Sequence, residues 1–419
     1  MERDLKFNQN LLLGYFLYTT FSGALRKWVF AGSAGIGGAL LMLQVVAPFL
    51  LTYLMRRERG GLFYFPILPF ALVLGGLALN PLSHTLYHSI FGFALHLSFW
   101  LLILVYVQER DSFPIEKLVP AMLIACAVEG LLGFLQFGLP ADHFINAYAR
   151  DAGDATKIFG DEMGTRVIGT FSYISGYGAF LFFFGMFVWG LMVENKRSLL
   201  VIYGLTAVGL VSAFMNGSRS VVLPFILAAV FGFLDYGTIG NKIKGIMMIA
   251  LVASLAMVYN VGGKMTFIKG AYDAFAGRVT HGQASGESGD RVLLTFDALI
   301  DYAGKYPGFG VGLGATYQGA TAKWGASPLL PAFEAEQERV IIEGGYFLLI
   351  IRILLLAFLL SRLKIPLYFS VPILLYLFMF LQIIFNINQC AYAFFGIMLV
   401  DKMYYLKEKR ALGLLPEGA

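Results

Sequence analysis

Charged residues are scarce in this chain: they make up 14% of its 419 residues, whereas 58% are hydrophobic. Soluble domains carry about a quarter charged residues, so the composition excludes an ordinary soluble protein. Apolar runs of about 20 residues recur along the chain, each long enough to cross roughly 30 Å of hydrocarbon. Lipid offers no partner to backbone N–H and C=O groups, so these runs are expected to be helical. The sequence therefore predicts an all-α polytopic membrane protein.

Cysteine and histidine are also rare. Cys126 and Cys390 both lie in apolar segments, which argues against a disulfide framework and against a cysteine-based metal site. The five histidines show no ligand spacing such as H-E-x-x-H; they are His84, His88, His96, His143 and His281. We therefore predict no metal and no other cofactor.

Nucleotide-binding motifs are missing as well. The glycine-rich run Gly308-Phe-Gly-Val-Gly-Leu-Gly314 has neither the G-x-G-x-x-G spacing nor a Walker lysine, and no strand is expected before it. We interpret it as a closely packed or flexible backbone segment near the substrate, because glycine lets another backbone approach.

The apolar runs predict about 12 transmembrane helices in three regions. Residues 1–261 hold spans one to nine and a short periplasmic segment, 139–167. Residues 262–338 form a large periplasmic insert before the third-last helix, and 339–419 hold the last three spans and a cytoplasmic tail. The predicted spans are 7–24, 33–54, 62–80, 86–107, 117–138, 168–193, 198–216, 219–235, 245–261, 339–360, 365–386 and 388–405.

Basic residues in the short connections predict the orientation. They collect on one side, with Arg56, Arg57, Lys196 and Arg197 among them, and the positive-inside rule makes that side cytoplasmic. Both termini are expected there, and both long polar segments face outward. The net charge of +5 then reflects the inner loops, so no nucleic-acid partner is predicted. Within the insert, residues 290–305 have apolar residues at helical spacing and predict an amphipathic helix.

Four arginines at the outer ends of spans are the candidate ligands of an anion: Arg166, Arg219, Arg291 and Arg339. A guanidinium stays charged and binds phosphate through two parallel hydrogen bonds, so several of them suit a lipid-linked diphosphate. The alternative for each arginine is a side chain that extends to the membrane interface without binding a ligand.

Carboxylates gather at the same level: Glu334, Glu336, Glu338 and Glu343. Glu343 lies one turn beyond Arg339 on the same helix face, so it could form an ion pair with Arg339 or act as a base. We predict Glu343, Glu334 and Glu336 as catalytic candidates. The alternative for Glu334, Glu336 and Glu338 is the edge of a solvated loop.

Two charges lie deeper in the spans, Glu129 and Arg352. Each costs on the order of 3 kcal/mol at the bilayer centre if it is unpaired. A mutual structural pair is the preferred hypothesis, and a proton path is the alternative.

Five short motifs resemble the bacterial O-antigen polymerase and ligase superfamily, in the expected order from about residue 22 to residue 350. They are Ser22-Gly-Ala-Leu-Arg-Lys-Trp28, Arg166-Val-Ile-Gly-Thr-Phe-Ser172, Asn216-Gly-Ser-Arg-Ser220, Ser288-Gly-Asp-Arg291 with Tyr306 through Gly314, and Glu343-Gly-Gly345.

The resemblance implies a metal-independent glycosyltransferase of the bacterial inner membrane, active on its periplasmic face. Its substrate would be an undecaprenyl-diphosphate-linked oligosaccharide, and its partners would include a chain-length regulator and a flippase. Arg219 and Arg166 would bind the diphosphate, with Arg291 helping from the insert. The family's ligases carry a histidine nine residues before the Glu-x-Gly, where this chain has Glu334; this favours a polymerase over a ligase. A transporter of polysaccharide or lipid-linked sugar is the alternative from another class.

Overall fold

The structure is a computed structural model of the full chain. It describes residues 2–31, 33–55, 66–111, 113, 115–140, 142–148, 160–161, 164–194, 197–218, 221–223, 225–227, 305–317, 324–325, 336–379 and 381–414, with isolated positions between 240 and 280. The predicted span 245–261, the predicted amphipathic helix up to residue 304, Arg219, Arg291 and Glu334 lie outside the described residues.

Helices dominate the described part of the chain. Their bounds are α1, Glu2–Ala24; α2, Ala34–Met55; α3, Ile67–Ala78; α4, Leu86–Glu109; α5, Ile115–Gly138; α6, Ile174–Glu194; α7, Leu199–Asn216; α8, Glu336–Arg362; α9, Leu367–Met379; and α10, Ile387–Ala411. A π-helical turn, Leu25–Val29, continues α1, and two-residue strands β1, Gly160–Asp161, and β2, Gly164–Thr165, form a short antiparallel hairpin.

The chain is a helical membrane protein. Among the described residues, five helices are long and apolar enough to cross a bilayer, namely α2, α4, α5, α6 and α8, and shorter apolar helices include α3, α7 and α9. Several helices begin at side-chain caps. Thr85 accepts a hydrogen bond from His88 N–H at the start of α4, and Ser198 accepts one from Val201 N–H at the start of α7, satisfying donors that a first helical turn leaves open.

Helix α8 is divided at Gly345, whose φ of 69° and ψ of −174° are not helical. The Arg352 guanidinium nevertheless contacts the Glu336 carboxylate, 16 residues earlier. In a straight helix that separation is about 24 Å, which two side chains cannot bridge. The first half, 336–344, therefore folds back toward the second half, 346–362. The predicted continuous span 339–360 is wrong in this respect.

Two further buried segments are not helical where spans were predicted. Helix α6 begins at Ile174, so the predicted residues 168–173 precede it, and α9 ends at Met379, so 381–386 link it to α10. Both segments are apolar enough to resemble helix ends. Such backbone is tolerated at membrane depth only where protein satisfies its polar groups.

The described chain divides into two compact units. Unit 1 comprises Met1–Leu12, Leu41–Phe113 and Gln283–Phe394, and unit 2 comprises Leu13–Leu40, Pro114–Gly282 and Phe395–Ala419. In unit 1, α3 packs on α4 and α8 packs on α9, with Phe70 edge-on to Trp100. In unit 2, α7 packs on both α5 and α6.

Helix α6 is the enclosed element of unit 2. Every residue of its most apolar 18-residue stretch is buried by protein. The ring of Phe16 in α1 packs against Phe183, and the ring of Tyr404 in α10 packs against Trp189. Its glycines admit close neighbours, as Gly190 does for Leu399. A helix enclosed in this way presents little surface to lipid.

Candidate functional site

Segment 166–173 of unit 2 is a non-helical stretch, buried from residue 167 to residue 171 and held by side chains of α5. The Gln136 side-chain oxygen accepts hydrogen bonds from Ile168 N–H at 3.1 Å and Gly169 N–H at 2.8 Å, and its amide donates to Gly169 O at 2.9 Å. Glu129, about two turns earlier on the same face of α5, accepts from Thr170 N–H at 3.0 Å. The segment's backbone is thus satisfied inside the protein, as membrane depth requires.

The Thr170 hydroxyl lies between two oxygens. It is 2.6 Å from the carbonyl oxygen of Thr20 and also contacts the second carboxyl oxygen of Glu129. A hydroxyl has one hydrogen to donate. Both contacts can be hydrogen bonds only when the Glu129 carboxyl supplies the other hydrogen, as a protonated acid.

Basic side chains reach the same segment from the π-helical turn after α1. Lys27 Nζ donates to Gly169 O at 2.7 Å, and Arg26 donates to the Ser172 hydroxyl at 3.1 Å. Lys27 also lies 4.6 Å from the centre of the Trp28 ring. Burial lowers the pKa of Lys27 from 10.5 to about 7.

Arg166, at the start of the segment, is half-buried and connects it to α7. Its Nε donates to Asn216 O at 3.1 Å, while the Asn216 side chain donates to Val167 O at 3.0 Å. Burial raises the pKa of Tyr148 to about 12, and the nearby Arg166 guanidinium offsets part of the rise. Arg26, Lys27 and Arg166 therefore form one cationic cluster around segment 166–173.

In unit 1, Glu343 fixes the glycine-rich loop, 307–317. Its carboxylate accepts four hydrogen bonds: from Gly314 N–H at 2.7 Å, Thr316 N–H at 2.9 Å, the Thr316 hydroxyl at 2.5 Å and His96 Nε2 at 3.0 Å. Glu343 is fully buried. We assign the hydrogen of His96 to Nε2, the tautomer that completes this set of donors.

The same loop approaches two helices backbone to backbone. A Cβ added at Gly92 of α4 would lie 2.1 Å from the nitrogen of Gly314, and one at Gly345 would lie 1.8 Å from the oxygen of Gly308. Val311 N–H and Gly312 N–H donate to the carbonyls of Ile342 and Glu343. The loop therefore packs into α4 and α8 at distances that only glycine allows.

Four further charged residues of α8 are also buried: Glu336, Glu338, Arg339 and Arg352. Glu336 contacts Arg352 and accepts from Ile384 N–H at 2.8 Å, so it holds segment 381–386. The Arg339 guanidinium lies 5.2 Å from the centre of the Phe385 ring. Because Glu336 and Glu338 are at most 9% exposed, the alternative of a solvated loop edge is wrong for both.

The predicted site residues are therefore distributed between the units. Glu336, Glu338, Arg339 and Glu343 come together in unit 1, and Arg166 lies in unit 2. The expected pair of Glu129 and Arg352 is replaced by other partners, Thr170 for Glu129 and Glu336 for Arg352. The four hydrogen bonds of Glu343 suit a residue that positions a loop; its catalytic role stays a prediction.

Sequence reasoning missed several residues that organise these clusters. His96 and Gln136 were not predicted to contact anything, although each is an isolated polar side chain inside an apolar helix, which is itself a signal of an internal partner. Gly92 carried no signal, because its role depends on the path of a loop more than 200 residues later in the chain.

No family model, curated protein or solved structure matches the chain.

Proposed function

We propose that the chain is a glycosyltransferase that polymerises undecaprenyl-diphosphate-linked oligosaccharide repeat units into exopolysaccharide or O-antigen. The single observation that carries the proposal is the meeting of three separate motifs in unit 2. Motif 22–28 contacts motif 166–172 through Lys27 and Gly169, and motif 166–172 contacts the start of motif 216–220 through Arg166 and Asn216. Motifs that resembled the family only by chance would not be expected to contact one another.

The chemistry of the cluster suits a diphosphate. Arg26 and Arg166 are half-buried beside segment 166–173, and Arg219 follows Asn216 by three positions in the sequence. Guanidinium groups in a partly desolvated setting neutralise a diphosphate and make it a better leaving group. We assign Arg166 and Arg219 to the diphosphate of the donor; the roles of Arg291 and Arg339 stay predictions from the sequence.

The site would face the periplasm or the cell exterior. We propose twelve spans, a periplasmic insert at 262–338 and both termini in the cytoplasm of a bacterial inner-membrane protein. In support, the ends of α1, α5 and α7 and the start of α6 meet around segment 166–173. If consecutive spans cross the membrane in opposite directions, the ends of the first, fifth and seventh spans and the start of the sixth lie on the same side.

The test is product analysis in a deletion strain complemented with Arg166→Ala or Arg219→Ala at matched expression. We expect loss of polymer and accumulation of single repeat units on the lipid carrier, with partial activity in Arg166→Lys. Arg197→Ala is the matched control, because Arg197 is 42% exposed and pairs with Glu194 by a 4.0 Å contact.

Two other outcomes would change the proposed function or the assignment of the arginines. Accumulation of long polymer on the lipid carrier would assign the chain as a ligase that moves finished glycan to another acceptor. Normal chain lengths in both alanine variants would refute the assignment of these arginines to the donor site.

A transporter is the second candidate, and the division of α8 favours it. Broken helices with buried charges are typical of secondary transporters, and α8 breaks at Gly345 between Glu336 and Arg352. The two functions differ in where the substrate accumulates. In spheroplasts of the deletion strain, a membrane-impermeant reagent for oxidised sugars should label the single repeat units if the chain is a polymerase, and should leave them unlabelled if it is the transporter.

A further inference from the structure

An exposed tyrosine stands beside the cationic cluster. Tyr173 is 49% exposed, although it directly precedes α6, the helix whose apolar window is wholly buried. About half of the Tyr173 side chain is therefore exposed at the N-terminal end of this enclosed helix.

Tyr173 is held in place from both directions along the chain. Arg26 donates to the hydroxyl of the preceding residue, Ser172, at 3.1 Å, and the Tyr173 carbonyl accepts from Gly176 N–H at 3.1 Å. Its ring lies 5.3 Å from the ring of Tyr148, tilted by 43°. The pair forms a preorganised aromatic wall, so little entropy is lost when a ligand packs on it.

The covalent structure of the proposed donor places a sugar at this wall. In a polyprenyl diphosphate-linked glycan, the first sugar is bonded directly to the diphosphate, so it lies next to whatever binds the phosphates. Arg166, at the start of the segment, acts electrostatically on Tyr148, and Arg26 contacts the residue before Tyr173. Each tyrosine of the aromatic wall is therefore linked to an arginine of the cationic cluster, Tyr148 to Arg166 and Tyr173 to Arg26.

The geometry points to a sugar subsite: we propose that Tyr173, supported by Tyr148, stacks on the first pyranose ring of the lipid-linked donor. The negative face of an aromatic ring attracts the polarised C–H groups on one face of a sugar, by the same quadrupole that governs aromatic contacts. Tyr173 is thus a binding residue, which holds the first sugar beside the diphosphate and contributes equally to the bound substrate and the transition state. The inference rests on the proposed function.

Chemical protection tests the subsite without requiring turnover. Purified full-length protein is treated with tetranitromethane, and nitration of each tyrosine is measured by mass spectrometry. The probes are the lipid-linked repeat unit extracted from a strain that lacks the gene, and undecaprenyl diphosphate without sugar. We expect the repeat unit, and not the sugar-free lipid, to lower nitration of Tyr173 severalfold. Tyr53, which is 81% exposed on α2, is the internal control and should not change.

Kinetics of elongation provide the second measurement. Tyr173→Leu should raise KM for the lipid-linked repeat unit about five- to tenfold, the range expected for one lost aromatic contact, with kcat within about twofold. Tyr173→Phe keeps the ring and should behave like the wild type. Phe144→Leu is the matched control, an exposed aromatic residue in the neighbouring segment, and should change neither constant.

The outcomes separate the subsite from the enzyme. Elongation by wild-type protein without protection of Tyr173 would overturn the subsite and leave the polymerase standing. Protection by the repeat unit without elongation would sustain the subsite and overturn the polymerase. Equal protection by the sugar-free lipid, or a Tyr173→Phe variant as weak as Tyr173→Leu, would show that the ring does not recognise a sugar.

Discussion

Glu343 in unit 1 and Glu129 in unit 2 hold non-helical backbone with different sets of donors. Both are fully buried on helices, and both contact a threonine through its N–H and its hydroxyl. Glu343 also accepts from Gly314 N–H and His96. Each oxygen of Glu343 therefore faces a backbone N–H, whereas only one oxygen of Glu129 does.

The difference decides which replacement each site tolerates. A backbone N–H is a fixed donor, so the group facing it must accept. A hydroxyl can donate or accept, so the group facing it has a choice. Glu343 is thus required as a carboxylate, while the place of Glu129 can be filled by any group with one acceptor and one donor.

Glu343→Gln should have the largest effect. One end of the amide would place an N–H against the N–H of Gly314 or Thr316, and the loss of charge-assisted hydrogen bonds to a buried group should lower stability by about 3 kcal/mol. The measurement is thermal unfolding of the purified protein in detergent. An unfolding temperature equal to that of the wild type would remove the distinction between the two glutamates.

Gly92→Ala tests whether glycine packing, and not the carboxylate alone, fixes the loop. The added Cβ would meet the backbone of Leu313 and Gly314 at 2.5 Å or less, so we expect a loss of about 2 kcal/mol. Gly76→Ala in α3 is the matched control, since nothing lies within 4 Å of its added Cβ. That control should be neutral or slightly stabilising, because alanine favours helix. Equal effects of the two substitutions would contradict the packing described for Gly92.

Lys27 makes the stability of unit 2 depend on pH. Burial lowers the folded-state pKa to about 7, so the cost of protonated Lys27 is complete below pH 7 and disappears as the pH rises toward 10.5. Stability should therefore rise with pH across this window, by at most about 1.4 kcal/mol per pH unit.

Lys27→Met isolates the contribution of Lys27 to the pH dependence of stability. The unfolding temperature of the wild type relative to Lys27→Met, measured at pH 7, 8 and 9, should increase with pH. A difference that does not change with pH would show that Lys27 keeps an ordinary pKa in the folded protein.

Glu129→Gln should have the smallest effect, below about 1 kcal/mol. The amide oxygen can accept from Thr170 N–H, the amide N–H can donate to the Thr170 hydroxyl, and that hydroxyl can then donate to Thr20 O, which lies 2.6 Å away. Glu129→Leu removes all of these partners and is the contrasting variant. Equal destabilisation by Gln and Leu would show that the charge of Glu129 is needed.

The sequence was sufficient for the helices and insufficient for the backbone between them. The predicted spans 33–54, 86–107, 117–138 and 198–216 agree with α2, α4, α5 and α7 to within about two residues at each end, because apolar runs bounded by polar residues report helix length directly. Segments 168–173 and 381–386 contain no charged residue, and each adjoins an apolar helix. Hydropathy measures composition, so it could not distinguish them from helix ends.

The candidate site divides in the same way. Arg166 and the motifs around it were identifiable from residue type and order, but their contact across about 140 residues depends on tertiary packing. The pairing of Glu129 with Arg352 was a reasonable expectation from depth alone, since each charge needs a partner. It failed because side chains and backbone N–H groups nearer to each residue were available.

The division of α8 at Gly345 has a consequence for biogenesis. Its first half holds four charged side chains in nine residues, Glu336, Glu338, Arg339 and Glu343, and each would cost about 3 kcal/mol if it entered the bilayer alone. The partner of Glu336, Arg352, is synthesised 16 residues later, and His96 belongs to a helix made long before. We therefore expect this short helix to enter unit 1 only after α4 and residue 352 are available, so that unit 1 closes late in synthesis.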